Sequence, residues 1–368
     1  MDKYKKFCFF FVLTMSLISF LFVINRETED VLEGYLHHMT HFLNSEIIQQ
    51  LDTDENRRCE GKIHTSPMPL NLKLRQYARK KLVHDLCINN ITLDISGKWQ
   101  TFDQIPLKDL SNLLVDDRHG IIYCYVPKVA CTAWKRILIV LSESLKVDGV
   151  PYRSPADVPI EKVHGSSLKY LNAYPKAVMK KKLETYKKFM FVRDPFVRLI
   201  SAYRDKFQSK NQVYYKSVGM HILRTFGNVS NLPSTVEKAH AAGIIPSFYN
   251  FIQFILSLQA KKDAFFDEHW QQINHLCHPC LIEYDFIGKM ETIEEDAAQL
   301  LRMFHVDNIV DLRPWINSKT EPSAIKTWFS NIPVEWRRKL YKIYEADFRL
   351  FGYKNHENLD NLDTENII

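Results

Sequence analysis

The stretch YCYVPKVACTAWKRILIVL, residues 123–141, has two apolar segments on either side of a polar junction. The apolar run from Gly120 to Val126 is typical of a strand buried on both faces, and TAWKRILIVL has apolar residues at helical spacing. A strand that turns directly into a helix points free backbone N–H groups and the positive end of the helix dipole at the turn. Lys128 adds a full positive charge there. The sequence therefore predicts an anion-binding loop between the strand and the helix.

Thr132, at the start of this helix, has two interpretations. Its hydroxyl can donate a hydrogen bond to a phosphate oxygen, or it can cap the helix N-terminus. The loop is not that of a nucleotide triphosphatase, which needs Gly-Lys followed by Ser or Thr. No Gly-Lys pair of this chain is followed by either residue.

A second strand, turn and helix are predicted in KFMFVRDPFVRLISAYRDKF, residues 188–207. The strand covers Phe189 to Val192, Asp194 is the expected helix N-cap, and Pro195 is the first helical residue. Arg193 lies where the strand ends. Its guanidinium can bind a phosphate through two parallel hydrogen bonds, or it can pair with Asp194 or another carboxylate.

These two segments resemble the donor-binding motifs of sulfotransferases. The sequence CYVPKVACTAWKR is similar to the 5′-phosphosulfate loop of the chondroitin 4-O-sulfotransferases, which belong to the HNK-1 sulfotransferase family. Arg193 and Ser201 have the spacing of the arginine and the serine in that family's 3′-phosphate motif. The resemblance continues through DEHW, LCHPC and the C-terminal helical segments, and covers the chain from about Asp109 to Asn358.

The resemblance implies a P-loop-like sulfotransferase fold of the α/β class, with a parallel central sheet and added C-terminal helices. It also implies 3′-phosphoadenylyl sulfate (PAPS) as the sulfate donor, and no metal. Ala133 and Asp267 stand where these enzymes usually have Asn, and the first departure bears on a contact to the donor. The residues implied in donor binding are Pro127, Lys128, Val129, Ala130, Cys131, Thr132 and Ala133 in the first motif, and Arg193, Asp194, Pro195, Phe196, Val197, Arg198, Leu199, Ile200 and Ser201 in the second.

Sulfuryl transfer needs positive charge at the leaving phosphate and a base for the attacking hydroxyl. Lys128 suits the first role. His164 is the predicted base, because its position resembles that of the catalytic histidine of uronyl 2-O-sulfotransferases and histidine can accept a proton near neutral pH. His269 and Glu268 are alternative bases, and a structural role for His164 also stays open.

The resemblance implies transfer to the 4-hydroxyl of N-acetylgalactosamine in chondroitin. The same fold acting on dermatan, on terminal N-acetylgalactosamine of N-glycans or on a terminal glucuronate stays open. So does a catalytically silent lumenal glycan-binding protein, of which Ala133 is the first indication. The net charge of +6 and the basic clusters at residues 180–182, 187–188 and 198–210 suit an acidic polymer, but they also suit solvated faces. The oligomeric state is left open.

Residues 7–24 form an uncharged apolar run that would extend about 27 Å as a helix, enough to cross a bilayer. Lysines precede the run and acidic residues follow it, so the positive-inside rule predicts a single-pass type II protein of the Golgi membrane with a lumenal catalytic domain. A cleaved signal peptide is the alternative. The predicted segments are a cytoplasmic tail at 1–6, a transmembrane signal-anchor at 7–24, a lumenal stem at 25–84, the catalytic domain at 85–358 and a C-terminal tail at 359–368.

The expected compartment also bears on partners and covalent chemistry. The lumen excludes nucleic acid as a partner, and the sequons at Asn90 and Asn228 agree with a lumenal location. Cys277 and Cys280 in CHPC predict a disulfide or two buried half-cystines rather than a zinc site, because no second Cys or His pair has zinc-finger spacing. Cys124 and Cys131, on either side of the anion loop, are interpreted as small core residues. Sequence alone does not decide the pairing.

The C-terminal third of the chain is predicted to be mostly helical. A short strand-like segment, IEYDFIG, lies among the helices. The predicted helices are Ser247–Gln259, Phe265–Leu276, Thr292–Phe304 and Pro333–Phe351.

Overall fold

The computed structural model describes residues 69–89, 99–165, 167–259, 266–310, 320 and 322–356. Their strands are β1 Leu113–Asp116, β2 Ile121–Cys124, β3 Lys146–Val147, β4 Val150–Pro151, β5 Lys169–Tyr170, β6 Lys187–Val192 and β7 Phe286–Lys289. A mixed sheet in the order β5-β1-β2-β6-β7 lies at the centre, and β3 pairs with β4 in a separate hairpin. The α/β class is thereby confirmed.

The prediction of a parallel central sheet is wrong for one side of this sheet. β2, β6 and β7 are parallel, with Tyr123 opposite Phe189 and Met190 opposite Ile287. β1 is antiparallel to both β2 and β5. Only residues 117–120 separate β1 from β2, and so short a connection can join antiparallel neighbours but cannot make the crossover that parallel strands need. β1 was not among the strands predicted from the sequence.

Helices cover the sheet and extend beyond it. The described α-helices are α1 Leu70–Asn89, α2 Cys131–Ser142, α3 Ile160–Val163, α4 Lys176–Thr185, α5 Pro195–Tyr203, α6 Gln212–Tyr214, α7 Met220–Thr225, α8 Val236–Ala241, α9 Phe248–Gln259, α10 Ile273–Cys277, α11 Ile293–Met303, α12 Ala324–Phe329 and α13 Val334–Leu350. Two π-helical segments, Arg204–Gln208 and Tyr215–Gly219, lie after α5 and α6.

Three of the four helices predicted in the C-terminal third are confirmed to within about one residue at each end, as α9, α11 and α13. The helix predicted from Phe265 to Leu276 is wrong. Only α10 is helical there, and residues 267–271 form a turn in which Trp270 N and Gln271 N both donate to Asp267 O. Gln272 then has an extended backbone, which separates the turn from α10.

α1 crosses the predicted boundary between stem and catalytic domain at residue 84. Gln76 forms two hydrogen bonds with the backbone of Ile287 in β7, and Arg79 Nη1 lies 2.7 Å from Asp296 Oδ2 in α11. The ion pair is almost wholly shielded from water at the aspartate. Residues 70–84 are therefore part of the folded domain, and the boundary at 84 is corrected to a position before Leu70.

Aromatic side chains fill the interface between α2 and the sheet. Trp134 of α2 contacts Phe189 of β6 edge-on, with ring centroids 5.0 Å apart, and Phe189 stacks on Tyr123 of β2 at 4.6 Å. All three are buried. Such pairs stabilise a core beyond the area that they bury, and here they hold the strand and the helix that flank the anion loop.

Two disulfides connect distant parts of the described chain. Cys87 of α1 is bonded to Cys280, and Cys124 at the end of β2 is bonded to Cys277 at the end of α10. The cysteines of CHPC are thus half-cystines of two different disulfides. The interpretation of Cys124 as a small core residue is wrong, whereas Cys131 is a half-buried free thiol.

Two features are absent from the residues that the structure describes. None of their helices is both long and apolar enough to cross a bilayer. No group of their His, Cys, Asp and Glu side chains has a geometry that could hold a metal ion. The predicted anchor at 7–24 and most of the predicted stem lie outside the described residues.

Gly288 allows the closest approach between β7 and the core. A β-carbon at this position would overlap the ring of Phe191, which is fully buried in β6. We therefore expect Gly288→Ala to lower the free energy of unfolding by about 1–3 kcal/mol, the usual cost of overfilling a packed core. Urea unfolding measures the difference. Gly219→Ala is the control, because its β-carbon would meet no atom closer than 3.4 Å; equal losses in the two variants would contradict the prediction.

Candidate active site

The anion loop follows β2, which ends at Cys124, and enters α2 with an uncommon backbone. Lys128 and Ala130 have φ angles of 71° and 54°, a left-handed conformation that residues with a β-carbon rarely adopt. Val129 N donates to Val126 O at 3.3 Å, and Trp134 N donates to Ala130 O at 3.2 Å. The predicted strand, turn and helix are confirmed. Strained backbone of this kind is concentrated at binding sites.

The Lys128 side chain contacts a carboxylate. Its Nζ lies 2.9 Å from Oδ2 of Asp205, and the same oxygen lies 3.0 Å from Nζ of Lys206. Burial raises the pKa of Asp205, but the two lysines outweigh burial and lower the pKa overall. The carboxylate is therefore ionised at neutral pH. Lys128 thus has a counter-ion at the loop, which an anionic ligand can replace.

Arg193 joins the two predicted motifs. It is 4% exposed, its Nη1 donates to the carbonyl of Lys128 at 3.1 Å, and its Nη2 donates to the carbonyl of Thr320. The guanidinium therefore lies directly beneath the anion loop. The fold brings the two motifs together as the resemblance implied, although they are about 60 residues apart in the sequence.

Asp194 is the N-cap of α5, as predicted. Its Oδ1 accepts hydrogen bonds from Phe196 N at 2.9 Å and Val197 N at 3.1 Å. Its Oδ2 lies 2.6 Å from Nε2 of His356, and both side chains are buried. The cap next to Arg193 is thus connected to the C-terminal segment of the described chain.

The other residues implied in the second motif divide between the core and the loop. Ser201, eight residues after Arg193, is half-buried. Arg198 is 2% exposed. The side chains buried in the core, away from solvent, are those of Pro195, Phe196, Val197, Leu199 and Ile200.

Arg198 connects the anion loop to the turn at residues 267–271. Its Nε donates to Pro127 O at 3.0 Å, its Nη2 to Glu268 O at 2.7 Å and its Nη1 to Gln271 O at 2.5 Å. All three nitrogens of the guanidinium thus have carbonyl partners. These contacts give Arg198 a structural role in holding the backbone, and its implied role in donor binding stays a prediction.

His164, the predicted base, follows α3 and faces the start of α2. Its Nε2 lies 3.5 Å from Oγ1 of Thr132, at the limit of a hydrogen bond. Partial burial, followed by the charges of Lys135 and Lys206, lowers its pKa. The imidazole is therefore neutral near pH 7, as a proton acceptor must be, but it is a weaker base than an ordinary histidine. Its role as the base stays a prediction.

The turn at residues 267–271 carries a second histidine with an ordered environment. His269 Nδ1 lies 2.7 Å from Asp267 Oδ1 and 2.9 Å from the hydroxyl of Tyr214, which also lies 3.0 Å from Asp267 Oδ2. Burial raises the pKa of Asp267, but the hydrogen bonds from His269 outweigh it and lower the pKa. Asp267, His269 and Tyr214 thus form one hydrogen-bonded group.

Glu268, in the same turn, has a different hydrogen-bond partner. The hydroxyl of Tyr125 donates to Glu268 Oε2 at 2.9 Å, and Nζ of Lys135 lies 3.6 Å from the centre of the Tyr125 ring. Burial lowers the pKa of Lys135. Tyr125 and Lys135 were not among the predicted site residues. Tyr125 directly follows β2, and Lys135 lies near the start of α2, so both are close to Lys128 in the sequence. That proximity is the signal by which they could have been predicted as site residues.

The remaining loop residues have different environments. Ala133, where the resembling enzymes usually have Asn, is buried in α2, and Val129 is fully buried. Ala130 and the Cys131 thiol are half-buried. Among the contacts described above, the loop meets the second motif through two carbonyls: Pro127 O accepts from Arg198, and Lys128 O accepts from Arg193.

The predicted basic clusters are partly neutralised by ion pairs. Lys180 pairs with Asp103 at 2.6 Å, Lys182 pairs with Asp117, and Lys187 pairs with Asp285 at 3.0 Å. The pairs of Lys180 and Lys187 are exposed and contribute little to stability, whereas Lys182 is buried. They also reduce the net positive charge available to an acidic polymer at this surface.

His356 is expected to support the cap at Asp194. His356→Ala removes the partner of a buried carboxylate oxygen, so we expect the free energy of unfolding to fall by about 1–3 kcal/mol and donor affinity to fall severalfold. Thermal unfolding and donor titration measure the two effects. The control is His84→Ala, since His84 is 70% exposed on α1. A His356→Ala protein as stable as this control would contradict the role of His356.

Comparison with known proteins agrees with this geometry. The model of the sulfotransferase family matches residues 111–354, so the chain belongs to that family. It is 51% identical over 293 residues to carbohydrate sulfotransferase 12 of Mus musculus, covering 77% of this chain and 70% of the relative. It is 48% identical to carbohydrate sulfotransferase 12 of Xenopus laevis, covering 79% and 71%. It is 36% identical to carbohydrate sulfotransferase 11 of Rattus norvegicus, covering 79% and 82%. No solved structure matches the chain significantly.

The protein is therefore a sulfotransferase, similar to enzymes named for carbohydrate acceptors. Membership of the family implies PAPS as the sulfate donor. The residues around the loop suit such a donor, because Lys128 lies in the loop, Arg193 contacts the loop backbone, and both side chains offer positive charge and hydrogen-bond donors.

Proposed function

We propose that the protein transfers the sulfuryl group of PAPS to the 4-hydroxyl of N-acetylgalactosamine in chondroitin. The observation that carries the proposal is the 3.1 Å hydrogen bond from Arg193 to the carbonyl of Lys128, which joins two phosphate-binding motifs into one site. The named relatives support a carbohydrate acceptor. The choice of chondroitin and of the 4-hydroxyl is supported by the resemblance of the loop sequence to the chondroitin 4-O-sulfotransferases.

The donor's two phosphate ends are assigned to different residues. The backbone N–H groups of the loop, with Lys128 and Thr132, meet the 5′-phosphosulfate, while Arg193 and Ser201 meet the 3′-phosphate. Bound PAPS supplies an activated sulfuryl group. Lys128 stabilises the negative charge that develops on the leaving phosphate, because an ammonium held in a cleft needs no reorganisation when the charge appears.

A base must take the proton of the attacking hydroxyl. The sequence predicts His164 for this role, and that assignment stays a prediction. Glu268 and His269 remain the alternatives, because their turn is fastened to the anion loop through Arg198.

The location is part of the proposal. A single-pass type II protein of the Golgi membrane, with residues 7–24 as its anchor, would have the catalytic domain in an oxidising lumen. The two disulfides of the described chain and the exposed side chain of Asn228 in its sequon support this location.

The test uses full-length protein in detergent with radiolabelled PAPS. The acceptors are desulfated chondroitin, desulfated dermatan, N-glycans with terminal N-acetylgalactosamine and chains with a terminal glucuronate. Disaccharide analysis then locates the new sulfate. We expect 4-sulfated N-acetylgalactosamine from chondroitin. Preferred labelling of another acceptor or position would replace the proposed acceptor, and donor binding without transfer to any of them would indicate a catalytically silent protein.

A further inference from the structure

The turn at residues 267–271 is fixed against the anion loop from two sides. Arg198 bonds the carbonyls of Glu268 and Pro127 at the same time, and Tyr125, at the end of β2, bonds the Glu268 side chain. Trp270 is 1% exposed, and its carbonyl accepts a 2.5 Å hydrogen bond from Tyr344 of α13. The turn therefore cannot move far from the loop without breaking several buried contacts.

A second series of contacts leads from Lys128 to His269. Asp205 Oδ2 contacts the ammonium groups of both Lys128 and Lys206, and Nζ of Lys206 lies 4.5 Å from the centre of the Tyr214 ring. The Tyr214 hydroxyl in turn contacts His269. Side chains thus touch continuously from Lys128, which is proposed to meet the leaving phosphate, to His269.

Asp267 and Tyr214 determine which nitrogen of His269 can accept a proton. A carboxylate only accepts hydrogen bonds, so both the Tyr214 hydroxyl and His269 Nδ1 donate to Asp267. The lone pair of the neutral ring is then on Nε2. Among the residues that the structure describes, Nε2 has no hydrogen-bond partner. The His269 side chain is 15% exposed, so a sugar hydroxyl can reach it while bulk water is mostly excluded.

The two alternatives lack one of these features. No carboxylate of the described chain hydrogen-bonds to His164, and neighbouring charge and burial make it a weaker base. Glu268 already accepts the Tyr125 hydroxyl. A histidine oriented by a carboxylate is the usual arrangement of a general base, because the carboxylate fixes the tautomer and stabilises the protonated ring.

We propose that His269 is the catalytic base of the transfer, with Asp267 and Tyr214 as its positioning residues. This inference rests on the proposed function. The proton of the attacking hydroxyl passes to Nε2 as the sugar oxygen forms its bond to sulfur. The bond between sulfur and the bridging oxygen of the 5′-phosphate breaks, and its electron pair stays on that oxygen near Lys128. The imidazolium then releases its proton to solvent.

The experiment compares His269→Ala with His164→Ala in the full-length enzyme, each at saturating PAPS and desulfated chondroitin. We expect His269→Ala to lower kcat about 100-fold, a usual contribution of a general base. Binding of adenosine 3′,5′-bisphosphate, measured by calorimetry, should change less than about threefold, because the base does not contact the nucleotide. Added imidazole should restore part of the turnover of His269→Ala and none of that of His164→Ala.

Asp267→Asn provides a second measurement if His269→Ala does not fold. The amide has nearly the same shape and can still accept from Nδ1, but it lacks the charge that stabilises the imidazolium. Because the resembling enzymes usually have Asn at this position, we expect kcat at the optimal pH to fall less than about tenfold. The diagnostic result is the acid limb of the pH–rate profile, which should move to lower pH because the imidazolium loses its counter-charge. Asp267 and Tyr214 contact the ring directly, and Lys206 lies over the ring of Tyr214. Glu268 and His164 are the other titratable groups nearby, and the His164→Ala variant separates the contribution of His164.

Three outcomes would overturn the inference. One is near wild-type kcat in His269→Ala, and another is imidazole rescue of His164→Ala instead. The third is an unchanged pH profile in Asp267→Asn. Each of these leaves the sulfation by the wild-type enzyme intact, so the proposed function survives. Failure of the wild-type enzyme to sulfate any acceptor, while it still binds adenosine 3′,5′-bisphosphate, would overturn the proposed function and the inference together.

Discussion

Lys128→Ala is expected to lower kcat by about 10²–10³-fold while donor affinity falls much less. Removal of one group that stabilises developing charge usually costs this much. The asymmetry follows because the ammonium interacts more strongly with the leaving phosphate in the transition state than with the bound donor, and only such a difference accelerates the chemical step. Initial rates at varied PAPS give kcat and KM, and calorimetry with adenosine 3′,5′-bisphosphate gives binding.

Lys128→Arg should restore little of this activity. A planar guanidinium is bulkier than an ammonium, and the left-handed backbone of Lys128 leaves little room for adjustment. If Lys128 merely attracts the anionic donor, the alanine variant would instead have a raised KM with a nearly unchanged kcat, and arginine would substitute for lysine. Lys210→Ala, which changes an exposed lysine further along the chain, controls for the loss of one charge.

Arg193→Ala is expected to weaken donor binding roughly 10- to 100-fold. A charge-assisted hydrogen bond contributes about 1.5–3 kcal/mol, and each 1.4 kcal/mol corresponds to about tenfold in affinity. Ser201→Ala should have a smaller effect, since it removes a neutral hydroxyl. Calorimetric titration with adenosine 3′,5′-bisphosphate, which retains the 3′-phosphate, measures both variants directly.

Arg193 also bonds the carbonyls of Lys128 and Thr320, so its removal affects the loop as well as the donor. Adenosine 5′-phosphosulfate, which lacks the 3′-phosphate, separates the two effects. Loss of affinity for the 3′-phosphorylated ligand alone identifies Arg193 as a phosphate ligand. Equal loss for both nucleotides would mean that Arg193 only shapes the loop, and unchanged affinity in a folded variant would remove it from the donor site.

The parts of the fold that sequence could predict are those decided by near neighbours. The cap at Asp194 and the start of α5 at Pro195 follow from local hydrogen bonding and a fixed φ angle. The junction at Lys128 follows from the change between two hydrophobic periodicities. The resemblance to sulfotransferases added the pairing of the two motifs, which no local rule supplies.

The errors concern contacts between distant segments. The segment predicted as a helix, residues 265–276, has apolar residues at roughly helical spacing. In the structure, however, Arg198 donates to the carbonyls of Glu268 and Gln271, and the His269 ring bonds the side chain of Asp267. Tertiary hydrogen bonds therefore override the local preference. In the same way, the backbone contacts of Arg198 could not be predicted, because the carbonyls that accept its hydrogen bonds belong to segments about 70 residues away in the sequence.

The two disulfides make the geometry of the cleft dependent on the maturation of the chain. Cys124 lies just before the loop of Lys128, and its partner Cys277 lies a few residues after the turn of His269. One covalent bond therefore connects the segment that meets the leaving group with the segment that carries the second histidine. Enzyme produced in a reducing cytosol would lack this bond. It would also lose the stabilisation that arises because a long cross-linked loop restricts the unfolded chain, about 4–5 kcal/mol of folding free energy in the chain-entropy model. Recombinant production should consequently give active enzyme from an oxidising secretory route and poorly active enzyme from a reducing one.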